Sequence, residues 1–368
     1  LFDRRLFRNF DYLLLLTICA IMMISLIIIQ SATLVNPTGD ALYFVKRQAT
    51  WFLLGFIVLL IMVSVDYTQF YRFAPHLYVF NLLLLVAVLF IGKETGGAQR
   101  WIDLKIFDLQ PSELAKVILI VYLGRHLSAR EGSFDSFFSV VPSFIYVMIP
   151  MGLIFLQPDL GTSLVFIVIL FGMLFMAGAK VRHLLLYGLT GIVVGFPLLW
   201  FKLQDYQKMR LTVFLNPGTD PLHYGYQLLQ SMIAIGSGGT WGKGLYEGTQ
   251  SQLEFLPAQH TDFIFSVLAE ELGFIGSVVL LLLFMFLVFR VIRAASLARD
   301  TFGTLVCIGV ASMLTFQVLV NIGMTISIMP VTGLPLPFVS YGGGSFLVNI
   351  MAVGLVLNIG MRRHKLMF

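Results

Sequence analysis

Ten apolar runs follow one another along this 368-residue chain, each close to the roughly 20 residues that one membrane crossing requires. They fall at roughly 12–30, 48–65, 75–92, 112–126, 139–156, 160–178, 184–201, 263–289, 302–328 and 342–360. In hydrocarbon every backbone donor and acceptor must find a partner within the chain, which leaves only helices or a closed barrel. The runs are continuous and do not alternate with polar residues, so helices are predicted. Charged residues make up 12% of the chain, about half the share in an ordinary soluble domain. The predicted fold class is an all-α polytopic membrane protein of about ten transmembrane helices. It forms a single domain over 1–368, with one large loop, 202–262, between helices seven and eight. The first run lacks a small-residue cleavage site and reads as a retained helix, not a signal peptide.

Charge between the runs sets the orientation. Arg4, Arg5, Arg8, Arg72, Arg125, Arg130, Lys180, Arg182, Arg290, Arg293, Arg299, Arg362, Arg363 and Lys365 share one side, and bases concentrate on the cytoplasmic side of membrane proteins. Both termini are therefore predicted to be cytoplasmic. The acids run the other way: Asp3, Asp11, Asp66, Glu131, Asp135 and Asp300 lie inside, and the rest lie outside or at outer helix ends. The outer segments also hold most of the Gly- and Pro-rich sequence, so the chemistry is expected to face outward. The net charge of +5 is spread as short topological clusters, which argues against nucleic-acid binding. Cys19 and Cys307 stand far apart inside apolar runs with no ligand spacing. They are expected to be packing residues, with no disulfide framework and no thiolate metal site.

Ionisable residues inside spanning helices are costly and need a reason. Glu113 and Lys116 follow Gln110-Pro111-Ser112 at a helix start and stand three residues apart. They read either as a mutually neutralising pair or as a site for an anionic ligand. Asp159, in Gln157-Pro158-Asp159-Leu160-Gly161-Thr162, suits the N-cap of helix six. Asp262, in Gln259-His260-Thr261-Asp262, stands at the threshold of helix eight and suits a cap equally well. Glu270 and Glu271 lie about 12 Å deeper at 1.5 Å per residue, as paired or protonated acids. The stretch Ile235-Gly236-Ser237-Gly238-Gly239 with Lys243 offers backbone amides that suit a phosphate. Gln250, in Gly248-Thr249-Gln250-Ser251-Gln252, suits sugar hydroxyls or a solvated loop. Ser340 belongs to a Pro- and Gly-dense segment, 330–344, expected to be a fixed non-helical cavity wall, hinge or turn.

Together these segments closely resemble the SEDS family of bacterial cell-wall proteins. The resemblance rests on Gly96-Gly97-Ala98-Gln99-Arg100-Trp101, Gln110 to Lys116, Gln157 to Thr162, Ile235 to Gly239, Gly248 to Pro257, His260 to Phe265 and Leu336 to Gly343. The Gly96 to Trp101 and Gly248 to Pro257 forms look more like the elongation branch than the division branch. Gly344 stands where relatives often have Ser. The resemblance implies a peptidoglycan glycosyltransferase that polymerises lipid II for cell elongation and rod shape. It implies a multi-pass protein of the bacterial cytoplasmic (inner) membrane with its active site on the extracytoplasmic side. Its implied partners are the membrane, lipid II and the undecaprenyl-pyrophosphate-linked glycan, a class B penicillin-binding protein and other elongation-complex proteins.

The family's essential aspartate matches Asp262. The implied reaction inverts the donor's anomeric centre, which one displacement with one general base accomplishes. The departing pyrophosphate calls for cations or oriented amides, and Arg100, Lys116, Arg210 and Lys243 are the candidates. No cofactor is required by this scheme, although a divalent metal such as Mg or Mn stays open as a supplement. A lipid II flippase, with Glu113, Lys116, Glu270 and Glu271 lining a headgroup path, and a non-catalytic scaffold for a synthase are the competing readings.

Overall fold

The computed structural model describes residues 9–34, 40, 42–95, 98–103, 108–216, 219–220 and 224–363. Gly96 and Gly97 of the first motif, together with Arg4, Arg5, Arg8 and Lys365 of the charge pattern, lie outside them. Helices occupy all ten predicted runs. They are α1 (Tyr12–Ala32), α2 (Tyr43–Ser64), α3 (Tyr67–Ile91), α4 (Pro111–Ser128), α5 (Val141–Leu156), α6 (Leu160–Met176), α7 (Val181–Trp200), α11 (Ile264–Ser296), α12 (Thr301–Thr325) and α13 (Gly343–Met361). Eight of these segments are long and apolar enough to cross a membrane. The other two are α6, which is 17 residues long, and α4, which carries Glu113, Lys116 and Arg125.

Local chemistry sets the helix starts. Asp11, Asp66, Asp159 and Asp300 cap α1, α3, α6 and α12, each accepting a backbone N–H from the first turn, which satisfies one of the donors a helix leaves orphaned. Pro111 opens α4, where its missing N–H costs nothing, and Arg125 and His126 close it against the dipole. In α7 a π turn at Gly191–Gly195 precedes Pro197, whose ring cannot follow a regular helical turn.

The core lies around α12 and α13, whose apolar windows are each 72% buried, against 11% for α7. Helix α4 is enclosed as well, from Pro111 to Leu127. Cys307 is buried in this core, whereas Cys19 faces outward on α1, so only one of the two cysteines is a packing residue.

Two features depart from the sequence reading. Between α3 and α4 a three-stranded antiparallel sheet forms from β1 (Lys93–Thr95), β2 (Ala98–Asp103) and β3 (Asp108–Leu109), with Lys93 opposite Trp101 and Ile102 opposite Leu109. About half of the 202–262 segment is helical, with α8 (Asp205–Leu215), α9 (Tyr224–Gly238) and α10 (Thr249–Gln252). Ile235 to Gly238, expected in a loop, therefore end a helix.

Candidate active site

The turn before α11, the 330–342 segment, the start of α13, α8, β2, the second and third turns of α2 and the first turns of α4 and α6 line a cavity of about 450 Å³. Asp262, Arg210, Arg100, Arg47, Glu113 and Asp159 all reach its wall.

Asp262 does not cap a helix. Helix α11 starts at Ile264, its N-cap is Phe263, and no side chain bonds there. The deciding contacts are on the backbone. Asn321 of α12 donates its amide to the Asp262 carbonyl at 3.0 Å and to the Leu334 carbonyl at 2.8 Å. The Ser340 hydroxyl donates to the Thr261 carbonyl at 2.6 Å and accepts the Leu336 N–H at 2.8 Å, and the Tyr341 N–H reaches the His260 carbonyl at 2.9 Å. These bonds fasten the Asp262 turn to the 330–342 segment, which is a non-helical cavity wall. Ser340 therefore holds the loop and does not itself line the cavity.

No described residue donates a hydrogen bond to the Asp262 carboxylate. Burial pushes its carboxyl above the ordinary range, and the nearby Arg210 guanidinium pulls it partly back. Both side chains flank Gly333: a Cβ there would lie 3.7 Å from Asp262 Oδ2 and 3.8 Å from Arg210 Nη1. Gly333 has φ +74°, a conformation glycine adopts without steric cost.

The other arginines are held from behind. Arg100 donates to the Gln157 carbonyl at 2.7 Å, to the Pro158 carbonyl, and to the Tyr206 hydroxyl at 3.0 Å. It thereby ties β2 to the α5–α6 turn and to α8. Arg210 lies over the Tyr206 ring, 5.6 Å from its centroid. Arg47, which the sequence reading missed, stands in the second turn of α2 and donates to the Tyr43 hydroxyl at 3.2 Å. Its spacing of four from Trp51, which also lines the cavity, is the signal that one helix face carries both.

Asp159 both caps α6 and lines the cavity. Its Oδ1 accepts the Thr162 N–H at 3.1 Å, and its Oδ2 accepts the Thr162 hydroxyl at 2.9 Å and the Gln110 amide at 3.3 Å. Lys116 corrects an expectation. It is fully buried, its Nζ meets Glu113 Oε1 at 2.8 Å, and it does not reach the cavity. Glu113 does reach it, and its Oε2 is buried with no hydrogen-bond partner among the described residues.

Lys243 and Gln250 are the second correction. Lys243 Nζ pairs with Glu270 Oε1 at 2.7 Å, and the Gln250 N–H donates to the same oxygen at 3.0 Å. Neither lines the cavity. The amides predicted to cradle phosphate are already used. Gly273 takes φ +66° and breaks the helical ladder of α11. The freed carbonyls of Glu270 and Glu271 accept the N–H groups of Lys243 and Gly244 at 3.0 and 3.1 Å, because buried carbonyls must be paired. A Cβ on Gly242 would overlap the Glu271 carbonyl, so the glycine is there for close packing. Glu271 accepts the Ser31 hydroxyl. Glu113 with Lys116 and Glu270 with Glu271 thus belong to separate clusters and do not line one path.

Comparison with known proteins places the chain as a whole. The FtsW, RodA and SpoVE family model, described as cell cycle protein, matches residues 9–365. The peptidoglycan glycosyltransferase MrdB of Escherichia coli K12 is 40% identical, over 97% of this chain and 95% of its own. A chain from a solved peptidoglycan synthase complex, described as coordinating polymerisation and crosslinking, superposes with a TM-score of 0.83 at 32% identity, over 97% of this chain and 99% of that one. The rod shape determining protein RodA of Thermus thermophilus gives 0.72 at 31%, over 97% and 98%.

Proposed function

From the premise that the chain belongs to the FtsW, RodA and SpoVE family, which is the SEDS family, we propose that Asp262 is the general base of lipid II polymerisation. The chain is a multi-pass bacterial membrane protein and a peptidoglycan glycosyltransferase that polymerises glycan for cell elongation. The observation that carries the Asp262 assignment is a part-buried carboxylate on the wall of an arginine-lined cavity, with no described hydrogen-bond donor of its own.

In the proposed step the acceptor's N-acetylglucosamine 4-hydroxyl attacks the anomeric carbon of the donor's N-acetylmuramic acid. The new C–O bond forms as the bond to pyrophosphate breaks, and the undecaprenyl pyrophosphate leaves with the electron pair. Asp262 takes the hydroxyl proton, for which it must be ionised and within about 3 Å of that oxygen. Arg100, Arg210 and Arg47 supply positive charge to the leaving group from the cavity wall. Arg100 is fixed by three carbonyl and hydroxyl partners, so it pays little reorganisation when the charge develops. The cavity carboxylates of Glu113 and Asp262 are the groups that could hold a divalent metal such as Mg or Mn, which when bound would neutralise pyrophosphate charge, although among the described residues no set of three ligating side chains converges there. The cavity faces the extracytoplasmic side, consistent with the charge pattern between the helices. The partner implied by the family resemblance is a class B penicillin-binding protein, and likeness to a complex described as coordinating polymerisation and crosslinking supports a crosslinking partner.

The test follows wild type and Asp262→Ala, each with its crosslinking partner, given lipid II and moenomycin, with glycan length read on a gel. Polymer from wild type only, with the variant still folded and partner-bound, is the expected result. Equal polymer from both would remove Asp262 from the reaction and revive the flippase or scaffold reading.

A further inference from the structure

At the opposite end of the bundle, a second cavity of about 250 Å³ lies between the start of α1 and the ends of α11 and α13. Along α11 it is about 40 Å from Asp262, at 1.5 Å per residue. Its floor is a fixed ion pair. Asp11 caps α1 by accepting the Leu14 N–H at 3.0 Å, and it holds Arg290 through both oxygens, at 2.6 and 3.0 Å.

Two further guanidinium groups, Arg293 and Arg363, face the same cavity. Among the described residues neither has an ion-pair or hydrogen-bond partner, whereas Arg362 next door is bonded to Asp66 and to Asn358. Bases at helix C-termini are expected from the dipole and from topology. Those rules explain the charge at this end of α11 and α13; they do not explain a cavity with two uncompensated arginines opening into it. Apart from Asn9 the remaining wall is mostly apolar, with the buried Leu357 of α13 inside and Leu13 at the rim, where Leu13 and Tyr12 are more than half exposed.

We propose that this cavity binds the phosphate of an anionic phospholipid in the leaflet opposite the active site. Arg293 and Arg363 grip the phosphate oxygens, guanidinium being suited to paired donation to such a group. The Asp11–Arg290 pair keeps α1 and α11 at the spacing the headgroup needs, and the first acyl carbons lie against Leu13 and Tyr12 at the rim. The inference rests on the membrane placement of the chain alone, not on the role of Asp262.

The experiment is native mass spectrometry of the full chain purified in detergent, titrated separately with phosphatidylglycerol, phosphatidylcholine and inorganic phosphate. Wild type should retain one phosphatidylglycerol well above phosphatidylcholine. The double variant Arg293→Gln/Arg363→Gln should weaken that binding about 30-fold, the effect of two cations at a lipid headgroup. Arg299→Gln, at the same end but outside the cavity, should bind as wild type does. Lipid-free melting temperatures establish that the variants are folded. Equal retention of the two lipids, undiminished binding by the double variant, or an equal loss from Arg299→Gln would overturn the proposal. Inorganic phosphate binding as tightly as phosphatidylglycerol would overturn the lipid as the source and leave a soluble phosphate.

Discussion

Asp159 and Asp262 border the same cavity, yet their surroundings give them opposite tasks. The Asp159 carboxylate is occupied by the first turn of α6 and by the Gln110 amide. The Asp262 carboxylate is left open while its backbone is fastened through Asn321, Ser340 and Tyr341. A side chain committed to its own helix start stabilises the fold. One whose backbone is held by other elements has its oxygens available for a substrate, already in position.

The same isosteric change at both positions tests this contrast. Asp262→Asn should reduce polymerisation by about 10² to 10⁴-fold, the usual contribution of a general base, with unchanged melting temperature. A variant that keeps even a third of wild-type activity would end the distinction. Asn321→Ala should come next. It removes one buried and one part-buried hydrogen bond, at a cost of about 1–3 kcal/mol for a buried carbonyl left unsatisfied. Because it also frees the Asp262 turn, activity per folded molecule should fall by about tenfold. Melting curves together with turnover separate the two effects, and a loss of stability alone would mean the clamp does not position the carboxylate.

Asp159→Asn should be milder, since asparagine caps about as well as aspartate. A cost of about 1 kcal/mol is expected from repairing the Gln110 contact, with polymerisation within a few-fold of wild type. A collapse of activity at normal stability would move Asp159 into the reaction.

The smallest effect is a displacement of the pH profile. Burial holds the Asp262 carboxyl above its ordinary range, and Arg210 opposes this by favouring the ionised form. A base works only when ionised, so kcat/KM falls as pH drops through that raised value. Arg210→Gln removes the opposing charge, raises the carboxyl further and moves the acid limb to higher pH. A limb that stays in place or moves down would show that Arg210 does not act on this carboxylate.

Much of the fold was legible in the sequence because hydrocarbon is an unforgiving solvent. A run of apolar residues must become a helix there, and ten runs mark ten helices before any tertiary contact is considered. Caps were legible where the signal is local, as with Asp159 three residues before the Thr162 N–H it accepts. Asp262 carried the same local signal and is not a cap, since the start of α11 is set by the turn that Asn321 and Ser340 hold. Arg47 was overlooked because its helix begins at Tyr43, ahead of the apolar run, and carries it into the cavity wall.

Lys243 and Gln250 show the reverse error. Their glycine-rich neighbourhood has the composition of a phosphate cradle, yet its amides serve the carbonyls freed at Gly273. The sequence by itself determined the helices, their order and the family, because solvent, periodicity and motif are properties of contiguous residues. Only the tertiary structure decided which charges neutralise one another and which share a cavity. Ion pairs and hydrogen bonds act over a few ångströms between residues that stand far apart in the chain, such as Asp262 and Asn321.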